Sequence, residues 1–380
     1  MQVLAVDVGT GTQDVYLFRS GLGLENGLKM VMPSPTMLVR RRIREATARG
    51  EDVLLSGVTM GGGPSAWGAE AHLRAGRRLF ATADAARSFN DDLEWVRREM
   101  GVVVVSDDEA RRLHGVVGIV LRDFDYEAIA AAFDSFGVDL TPEAVAVAVF
   151  DHGAAPPDVS DRKFRFDFLL ERLGDSSRLF SFAFLSDSIP PSMTRMGAVA
   201  ESAAGLGCPL VVMDTAPAAV LGATLDARVA ERQRCLVANL GNFHTLAFRL
   251  GPSGIEGLFE HHTGLVDALK LENLIRGLAA GTLTREAVFE DQGHGALLFS
   301  DRPLFLDEGD WGVAVTGPRR SMLAGSRLRP HFAVPFGDMM MAGCYGLLAA
   351  TADVLPGLAE PIRLALAGSG AGTTPWEVED

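Results

Sequence analysis

Hydrophobic and polar positions alternate along the chain in blocks that predict strands and helices in a regular order. The chain opens on a nearly unbroken apolar run, Val3 to Val8, then a polar, glycine-rich turn over residues 9–13, then a second apolar run, Val15 to Phe18. This pattern predicts a strand, a tight turn and a second strand. Further apolar runs predict strands at 53–58, 102–105, 116–121, 145–150, 179–184 and 210–213, with helical spacing at 126–136 and 193–204. Strands that alternate with helices indicate an α/β protein.

The pattern changes at Cys235. Three strand-like runs, 235–240, 243–250 and 255–260, are joined by connections of only a few residues, so we expect them to pair in antiparallel fashion. A helix at 265–280, short strands at 313–316 and 332–335, and a helix at 339–351 complete the predicted order.

Length and charge narrow the possible functions. At 380 residues the chain is long enough for two lobes. Its formal net charge of −14 opposes binding to nucleic acid, and the arginines of residues 40–44 are expected to form an exposed helix face. The apolar runs are too short to span a membrane, and Asp7 interrupts the first of them before a secretory signal could form. We therefore expect a cytoplasmic protein without nucleic-acid or membrane partners.

The strongest local signal is the segment AVDVGTGTQDVYLF, residues 5–18. A carboxylate at the end of a buried strand, here Asp7, can hold a hydrated Mg²⁺ ion, while backbone N–H and hydroxyl groups of the following turn bind phosphate. The segment is not a Walker A loop, because it lacks the lysine and because a strand rather than a helix follows the turn. The alternative is that this glycine-rich hairpin is a purely structural turn without a role in binding.

Five motifs in order resemble the superfamily of actin, sugar kinases and seventy-kilodalton heat-shock chaperones. Residues 5–18 are similar to its first phosphate loop and LVANLGNFHTLAF, 236–248, to its second. Residues 211–226 and 337–351 resemble its two connecting helices, and VAVTGPRR, 313–320, resembles its adenosine motif. The resemblance implies an α/β fold of two ribonuclease-H-like lobes around a central ATP cleft. It implies that lobe one comprises residues 1–232, that lobe two comprises 233–335, and that a C-terminal segment, 336–380, returns to lobe one.

The same resemblance implies roles for single residues. Asp7 is expected to coordinate Mg²⁺ through water, and Asp214 is expected to be the general base or to orient the attacking water, so both are candidate catalytic residues. The residues expected to bind the nucleotide are Gly9, Thr10, Gly11, Thr12, Gln13, Asn239, Gly241, Asn242, Thr245, Gly317 and Arg319.

Two positions depart from the superfamily pattern. Asn239 stands where the second phosphate loop usually starts with Asp, which removes a charge that helps to bind Mg²⁺ and leaves hydrolysis open. Gly317 is followed by Pro318 where the adenosine motif usually has two adjacent glycines. The loop AGSGAG, 367–372, is an alternative by composition, but too few residues follow it to form a connecting helix, so we favour Gly317.

The chain also resembles a narrower family of unassigned function that is provisionally labelled a pyruvate formate-lyase activating enzyme. The segments that carry this likeness are VDVGTGTQD (6–14), TMGGGP (59–64), FDHG (150–153), FEHHTG (259–264) and GHGA (293–296). The labelled activity needs three clustered cysteines to hold an iron–sulfur cluster. Cys208, Cys235 and Cys344 are instead far apart in sequence, as is typical of buried thiols in a reducing cytoplasm. This resemblance therefore implies a fold and not an activity.

Histidines gather in those segments. Asp151 and His152 follow the strand that ends at residue 150, and Glu260, His261 and His262 end a strand of the second lobe. Ligands collect beyond the carboxyl ends of strands in open α/β sheets, so both sets are expected to face one cleft. Adjacent residues of a strand point to opposite faces, so we expect only one of His261 and His262 to reach it. The residues expected to contact substrate are His72, Asp151, His152, His261, His262 and His294.

The chemistry of these histidines stays open at the level of sequence. Imidazole with carboxylate suits Zn²⁺, Mn²⁺ or Fe²⁺, general acid and base catalysis, or simple hydrogen bonding within loops. The three glycines at 61–63 either allow close approach of a ligand to the helix that follows or only turn a strand into that helix. The proline-rich segment 153–168 is expected to be a surface loop.

Three functions follow. The first is an ATP-dependent phosphotransferase or ATPase acting on a small molecule, with ATP and Mg²⁺ as cofactors implied by the resemblance. The second is a metal-assisted hydrolase or acyl or carbamoyl transferase that uses a transition metal and the histidines, with Asn239 as its supporting feature. The third is a non-catalytic, nucleotide-gated activator of a partner protein. The expected partner is therefore a small-molecule substrate or another protein.

Overall fold

The computed structural model describes residues 1–156, 158–368 and 373–377. Its strands are, in chain order, β1 Gln2–Val8, β2 Thr12–Arg19, β3 Leu28–Pro33, β4 Asp52–Gly57, β5 Leu79–Thr82, β6 Val103–Val105, β7 Val116–Leu121, β8 Ala144–Val149, β9 Ala183–Leu185, β10 Leu210–Asp214, β11 Cys235–Leu240, β12 His244–Gly251, β13 Gly254–His262, β14 Gly295–Leu298, β15 Val313–Thr316 and β16 Pro330–Phe332. The alternative glycine loop at 367–372 falls largely on residues 369–372, which lie outside the described residues.

The helices lie between these strands and after the last of them. They are, in chain order, α1 Pro35–Arg49, α2 Pro64–Arg74, α3 Ala83–Arg87, α4 Leu93–Trp95, α5 Asp107–Arg112, α6 Tyr126–Asp134, α7 Asp161–Asp175, α8 Thr194–Ser202, α9 Thr215–Ala223, α10 Ala227–Ala230, α11 Ala268–Ala280, α12 Arg285–Glu290, α13 Ala342–Val354 and α14 Ala359–Leu366.

Two six-stranded sheets share a five-stranded arrangement. They differ in the sixth strand, which is β9, antiparallel to β10, in the first and β14, antiparallel to β13, in the second. In the first, the order is β3-β2-β1-β8-β10-β9, with β1 to β3 as an antiparallel meander and β8 and β10 parallel to β1. In the second, the order is β14-β13-β12-β11-β15-β16, with β11 to β13 as the meander and β15 and β16 parallel to β11. A three-stranded meander extended by parallel strands on the side of its first strand is the ribonuclease-H-like arrangement. The expected α/β fold of two such lobes is thereby confirmed.

The two lobes are joined through helices α9 and α13, which cross at very short range. A Cβ atom at Gly346 of α13 would lie 1.9 Å from the carbonyl oxygen of Ala218, and one at Gly222 of α9 would lie 1.7 Å from that of Ala342. Only glycine permits backbones to approach this closely. Helix α13 is almost entirely buried.

A third sheet is formed by residues 52–121. Its order is β6-β5-β4-β7, all parallel, and it has its own apolar core with Val53, Leu55, Ala81 and Ile119 among the buried side chains. The apolar pattern predicts β4, β6 and β7 but not β5, and it does not predict that these strands form a sheet of their own, because strand pairing partners are not encoded in the pattern of a single strand. The expected lobe bounds at residues 232 and 335 stay a prediction.

Two segments differ from the sequence-based expectation. The segment 153–168 is not a surface loop throughout, since α7 begins at Asp161 and buries Arg165 and Phe166 to 1% and 0% exposure. The expected strand 179–184 starts instead as a 3₁₀ turn, Leu179–Phe182, and only Ala183–Leu185 pairs as a strand. In both segments, packing against residues far away in sequence outweighed the local pattern of polar and apolar residues.

Within the described ranges, no single helix is long and apolar enough to cross a membrane. Helix α13 and the segment Pro356–Leu366 reach the length and apolar composition of a membrane span only together. The two are bent by 115° relative to each other.

Candidate functional site

The first glycine-rich turn connects β1 to β2. The strands pair down to Val8 and Gln13, and the turn closes with the Gly9 N–H donating to the Thr12 carbonyl at 2.9 Å. A Cβ atom at Gly9 would lie 3.0 Å from that carbonyl oxygen, so glycine makes the turn tight. The sequence specifies this turn because two apolar strand-forming runs are separated by a few small residues.

The second turn, between β11 and β12, repeats this geometry in the other lobe. Leu240 pairs with Thr245, and the Gly241 N–H donates to the carbonyl of His244 at 3.0 Å. The two turns lie against each other, because a Cβ atom at Gly11 would come within 2.8 Å of the Asn242 side-chain nitrogen. Both turns therefore present their small residues to one cleft between the lobes.

Two buried carboxylates stand at the base of the first turn. Asp7 and Asp14 are paired in register across β1 and β2, and Asp7 accepts a hydrogen bond from the Thr215 hydroxyl at 2.5 Å. Burial raises the pKa of Asp7 to about 6, and burial together with the charge of Asp7 raises the pKa of Asp14 to about 8. Neighbouring carboxylates in such a site favour a bound proton or a bound cation. Oxygen donors of this kind suit Mg²⁺.

These elements enclose a cleft that is open to solvent. Most residues expected to hold the nucleotide line it, together with the start of α9 at Thr215 and of α13 at Ala342. The expected residues in the lining are Asp7, Gly9, Thr10, Gly11, Thr12, Asn239, Gly241, Asn242 and Gly317. Gly317, at φ +94°, lies beside Asn239, whose Oδ1 would be 2.6 Å from a Cβ atom there.

Three residues expected to bind the nucleotide lie outside this lining. The Gln13 side chain donates to the Pro33 carbonyl at 3.1 Å, and the Thr245 hydroxyl is buried 2.9 Å from that of Thr263. The Arg319 side chain is exposed, and its backbone N–H donates to the Leu240 carbonyl at 2.9 Å. Their positions at the ends of strands were visible in sequence, but the direction of each side chain depends on the packed structure.

Asp214 also turns away from the cleft. It caps α9 by accepting from the Ala216 N–H at 3.1 Å and forms a buried ion pair with Arg165, with Nη1 and Oδ2 at 2.8 Å. Burial raises the pKa of Asp214, against the opposing effect of Arg165. Its carboxylate is therefore engaged by a cation rather than presented to the cleft.

Arg165 is the functional-site residue that sequence reasoning missed most clearly. Its guanidinium bonds Asp214, Glu260 at 2.7 Å and the Asp151 carbonyl at 2.7 Å, and it stacks on the Phe150 ring at 4.1 Å. A helical pattern was available as a signal, because leucines occur four and eight residues after Arg165 and mark a buried face.

Histidines from both lobes meet beside this arginine. The potential ligand nitrogens of His152, His244 and His294 all lie within 4.8 Å of one another. The His262 ring centroid lies 4.7 Å from that of His294, and Phe150 stacks on His244 at 4.1 Å. Burial lowers the pKa of His152 and His244 well below the ordinary value and that of His262 to about 4. Neutral imidazoles, which can bind a metal or accept a proton, therefore dominate at pH 7.

His244 was not among the expected substrate residues, and two that were lie elsewhere. His261 points away from His262, as alternation along β13 requires, and contacts the Asp291 carbonyl at 3.0 Å. His72 is buried in α2, 2.8 Å from the Thr47 hydroxyl and 3.0 Å from the Arg78 carbonyl, and so supports the packing of the third sheet. The sequence signal for His244 was its position near the start of the predicted strand 243–250, directly after the second glycine turn.

A second chamber continues from the cleft and shares Gly9, Phe150 and His244 with it. The three-glycine loop at 61–63, His152 and Asp151 line its other walls. The Asp151 carboxylate accepts from the N–H groups of Gly153 and Met196, at 2.8 and 2.9 Å, and so anchors the chamber wall. The chamber is therefore bounded by the turns on one side and the histidines on the other.

A family model described as "Putative pyruvate format-lyase activating enzyme (DUF1786)" matches residues 60–322. The chain belongs to this family. The match includes the histidine segments and the second turn of this DUF1786 member but begins beyond the first turn. No curated protein matches its sequence.

Solved structures similar to this DUF1786 member come from several functional classes. The ROK hexokinase of Thermus thermophilus is 12% identical with a TM-score of 0.29, over 92% of this chain and 98% of that one. The ethanolamine utilization protein EutJ of Carboxydothermus hydrogenoformans is 11% identical with a TM-score of 0.27, over 96% and 90%. The Ppx/GppA phosphatase of Aquifex aeolicus is 10% identical with a TM-score of 0.24, over 97% and 89%. The order and direction of the strands in the two six-stranded sheets, rather than these likenesses, define the fold.

Proposed function

We propose that the cleft binds ATP with Mg²⁺ and that this protein is an ATP-dependent phosphotransferase or ATPase acting on a small molecule. The observation that carries the proposal is the pair of glycine turns, one from each lobe, closed by equivalent hydrogen bonds of 2.9 and 3.0 Å and facing each other across the cleft. Backbone N–H groups and hydroxyls in such turns are suited to phosphate oxygens.

The residues present fit both the cation and the phosphates. Asp7 and Asp14 supply oxygen donors on one side of the cleft, and a cation placed between them would stabilise their charged forms against the burial that raises their pKa values. Thr215 and Ala216 at the start of α9 line the cleft, where the positive N-terminal end of the helix would favour a phosphate group. Because lobe two offers Asn239 instead of a carboxylate, the cation would be held from lobe one.

The substrate is proposed to occupy the second chamber. The chamber meets the cleft at Gly9, Thr10 and His244, so a molecule bound there would approach the terminal phosphate. Closing such a site excludes water and favours transfer to the substrate over hydrolysis. Asp214 is engaged by Arg165, so its carboxylate is not presented to a substrate hydroxyl.

Metal-assisted hydrolysis or acyl or carbamoyl transfer is the second candidate, favoured by the three converging imidazoles. A nucleotide-gated activator of a partner protein remains the third prediction. The activity in the family's description is not proposed, since Cys208, Cys235 and Cys344 are free and lie respectively before β10, at the start of β11 and within α13. Such separate positions do not assemble a cysteine-bound cluster.

Calorimetric titration with Mg²⁺-ATP tests the proposal on the wild type, Asp7→Asn and, as a matched control, the exposed Asp134→Asn. We expect one site in the wild type, at least tenfold weaker binding in Asp7→Asn, which is about 1.4 kcal/mol, and no change in the control. Asn is neutral and similar in shape, so a buried Asp7 with a raised pKa can be replaced without loss of fold. Absence of binding at millimolar nucleotide would refute the proposal.

A further inference from the structure

His294 is a fully buried residue with a ring nitrogen that no described residue hydrogen-bonds. The residue is 0% exposed, and the nitrogen without a hydrogen-bond partner among the described residues is its Nε2. Its Nδ1 lies 2.9 Å from Glu260 Oε1, within hydrogen-bonding distance of that carboxylate. The buried Nε2 of His244 likewise has no partner in the described part of the chain. Buried polar atoms are rarely left unpaired, so these two Nε2 atoms point to a bound ligand.

Three histidines, these two and His152, bring ring nitrogens close together. One nitrogen each from His152, His244 and His294 lie within 4.8 Å of the others. Two nitrogens bound to one tetrahedral Zn²⁺ ion stand about 3.4 Å apart, given Zn–N bonds of about 2.0–2.1 Å. Small rotations of side chains are therefore sufficient to complete a metal site.

We propose that His152, His244 and His294 bind one divalent transition-metal ion of the class that prefers imidazole, with Zn²⁺ as the first choice. Three histidine ligands leave a fourth position open, which is the pattern of catalytic rather than structural zinc sites. Glu260 is the positioning residue, because a carboxylate beside Nδ1 orients the ring and leaves Nε2 for the ion.

The surrounding charges suit a cation. Two arginines act on His152, and both are bound by carboxylates: Arg165 by Asp214 at 2.8 Å and Glu260 at 2.7 Å, and Arg195 by Asp123 at 2.6 Å. With the three carboxylates ionised, this group carries a net negative charge that offsets the cost of placing a cation nearby.

The open position would face the second chamber. His152 and His244 both line this chamber, and His244 also lines the cleft. The site is therefore placed to polarise an oxygen of a chamber-bound molecule or to activate a water, independently of whether ATP binds. His262 lies outside the ligand set, although its ring adjoins that of His294.

The first test is direct and needs no variant. Wild-type protein is freed of metal with a chelator, loaded with one equivalent of Zn²⁺ and studied by X-ray absorption. We expect nitrogen or oxygen ligands at about 2.0–2.1 Å with outer-shell scattering from three imidazole rings. A spectrum without imidazole scattering, or failure to retain Zn²⁺ after desalting, would overturn the proposal.

Variants then assign the ligands. Competition titration with Zn²⁺ should show a loss of affinity of at least about 100-fold in His152→Ala and His294→Ala, and a loss of about 10- to 100-fold in Glu260→Gln. The exposed His114→Ala should bind as the wild type does, and so should Asp7→Asn, which separates this site from the proposed Mg²⁺-ATP site. Circular dichroism identifies any variant that fails to fold. Wild-type affinity in folded His152→Ala and His294→Ala would refute the assignment.

Discussion

Arg165 lies between two carboxylates from different lobes, Asp214 at the start of α9 and Glu260 on β13. All three side chains are nearly inaccessible to solvent. A buried ion pair gains little net free energy when it is intact, but removal of one partner leaves an uncompensated charge. This group therefore makes the relative position of the lobes sensitive to a single residue.

Arg165→Met is expected to lower the free energy of unfolding by about 3–5 kcal/mol, because Asp214 and Glu260 would be left buried without a cation. Lys163→Met on the exposed face of the same helix is the matched control and should change it by about 0.5 kcal/mol or less. Urea denaturation followed by circular dichroism measures both. Equal effects of the two substitutions would show that the buried ion pairs do not contribute as described.

Asp226 provides a pH-dependent contact between α10 and the segment after β16. Its carboxylate accepts from the Val334 N–H and contacts His331 Nε2, both at 2.9 Å. Burial alone would raise the pKa of Asp226, but these contacts outweigh burial and lower it. Because the folded-state pKa lies below the unfolded one, the stabilisation is present above the unfolded value of about 4 and is lost as pH falls through the folded value.

Asp226→Asn should therefore destabilise the protein at pH 7, and the difference from the wild type should shrink as pH falls towards about 3. Denaturant unfolding of both proteins at several pH values between these limits checks the trend. A difference that stayed constant with pH would mean that the charge of Asp226 is not what stabilises this contact.

At the scale of elements, the crossing of α9 and α13 positions the cleft. Glycines lie at the points of contact, and one more, Gly343, brings α13 against Asp7, whose Oδ2 would be 1.9 Å from a Cβ atom at that position. Helix α13 thus holds the Asp7 carboxylate in place, and the two glycine turns form another wall of the cleft. Packing of this kind tolerates no added methyl group.

Gly346→Ala is expected to cost about 1–3 kcal/mol or more, because the new Cβ atom would meet the Ala218 carbonyl. The control is Gly197→Ala in helix α8, where nothing lies within 4 Å of the added Cβ atom. That control should be neutral or stabilise by up to about 1 kcal/mol, since alanine favours helices. Thermal and urea unfolding measure the stability of both variants. A Gly346→Ala variant as stable as the wild type would argue against the close helix crossing.

At the scale of the whole molecule, the third sheet and lobe two touch across the cleft. Trp67 of α2 stacks on Phe243 of the second turn, with ring centroids 5.6 Å apart and an interplanar angle of 27°. Phe243 also contacts Gly63, since a Cβ atom there would lie 3.1 Å from its ring. Any closing or opening of the cleft must therefore change the surroundings of Trp67.

Mg²⁺-ATP is expected to change the fluorescence of the wild type through Trp67, because the second turn moves with the bound phosphates. The change should be absent in Trp67→Phe and retained in Trp95→Phe, which replaces another partly exposed tryptophan. If calorimetry shows binding while both variants respond equally, the contact between Trp67 and Phe243 does not report on cleft closure.

Much of the fold could be predicted because its signals are local. The hairpins on either side of the cleft follow from apolar alternation broken by Gly9 and Gly241, and turn chemistry acts over a few residues. The histidines at 152 and 262 were found because each lies at or near the end of a predicted strand, and His294 because it falls in the GHGA segment of the family resemblance. His244 and Arg165 were missed, since their partners stand on strands and helices far away in sequence.

The amino-acid sequence by itself determined the strand–turn–strand units, the α/β class and the presence of Asp7 beside a glycine turn, because these depend on residue spacing and backbone preference. Only the tertiary structure decided which strands leave the first sheet, which way Asp214 points and that His152, His244 and His294 converge. The physical reason is that side-chain burial and ion pairing are settled by contacts between residues far apart in sequence, and no local pattern encodes those contacts.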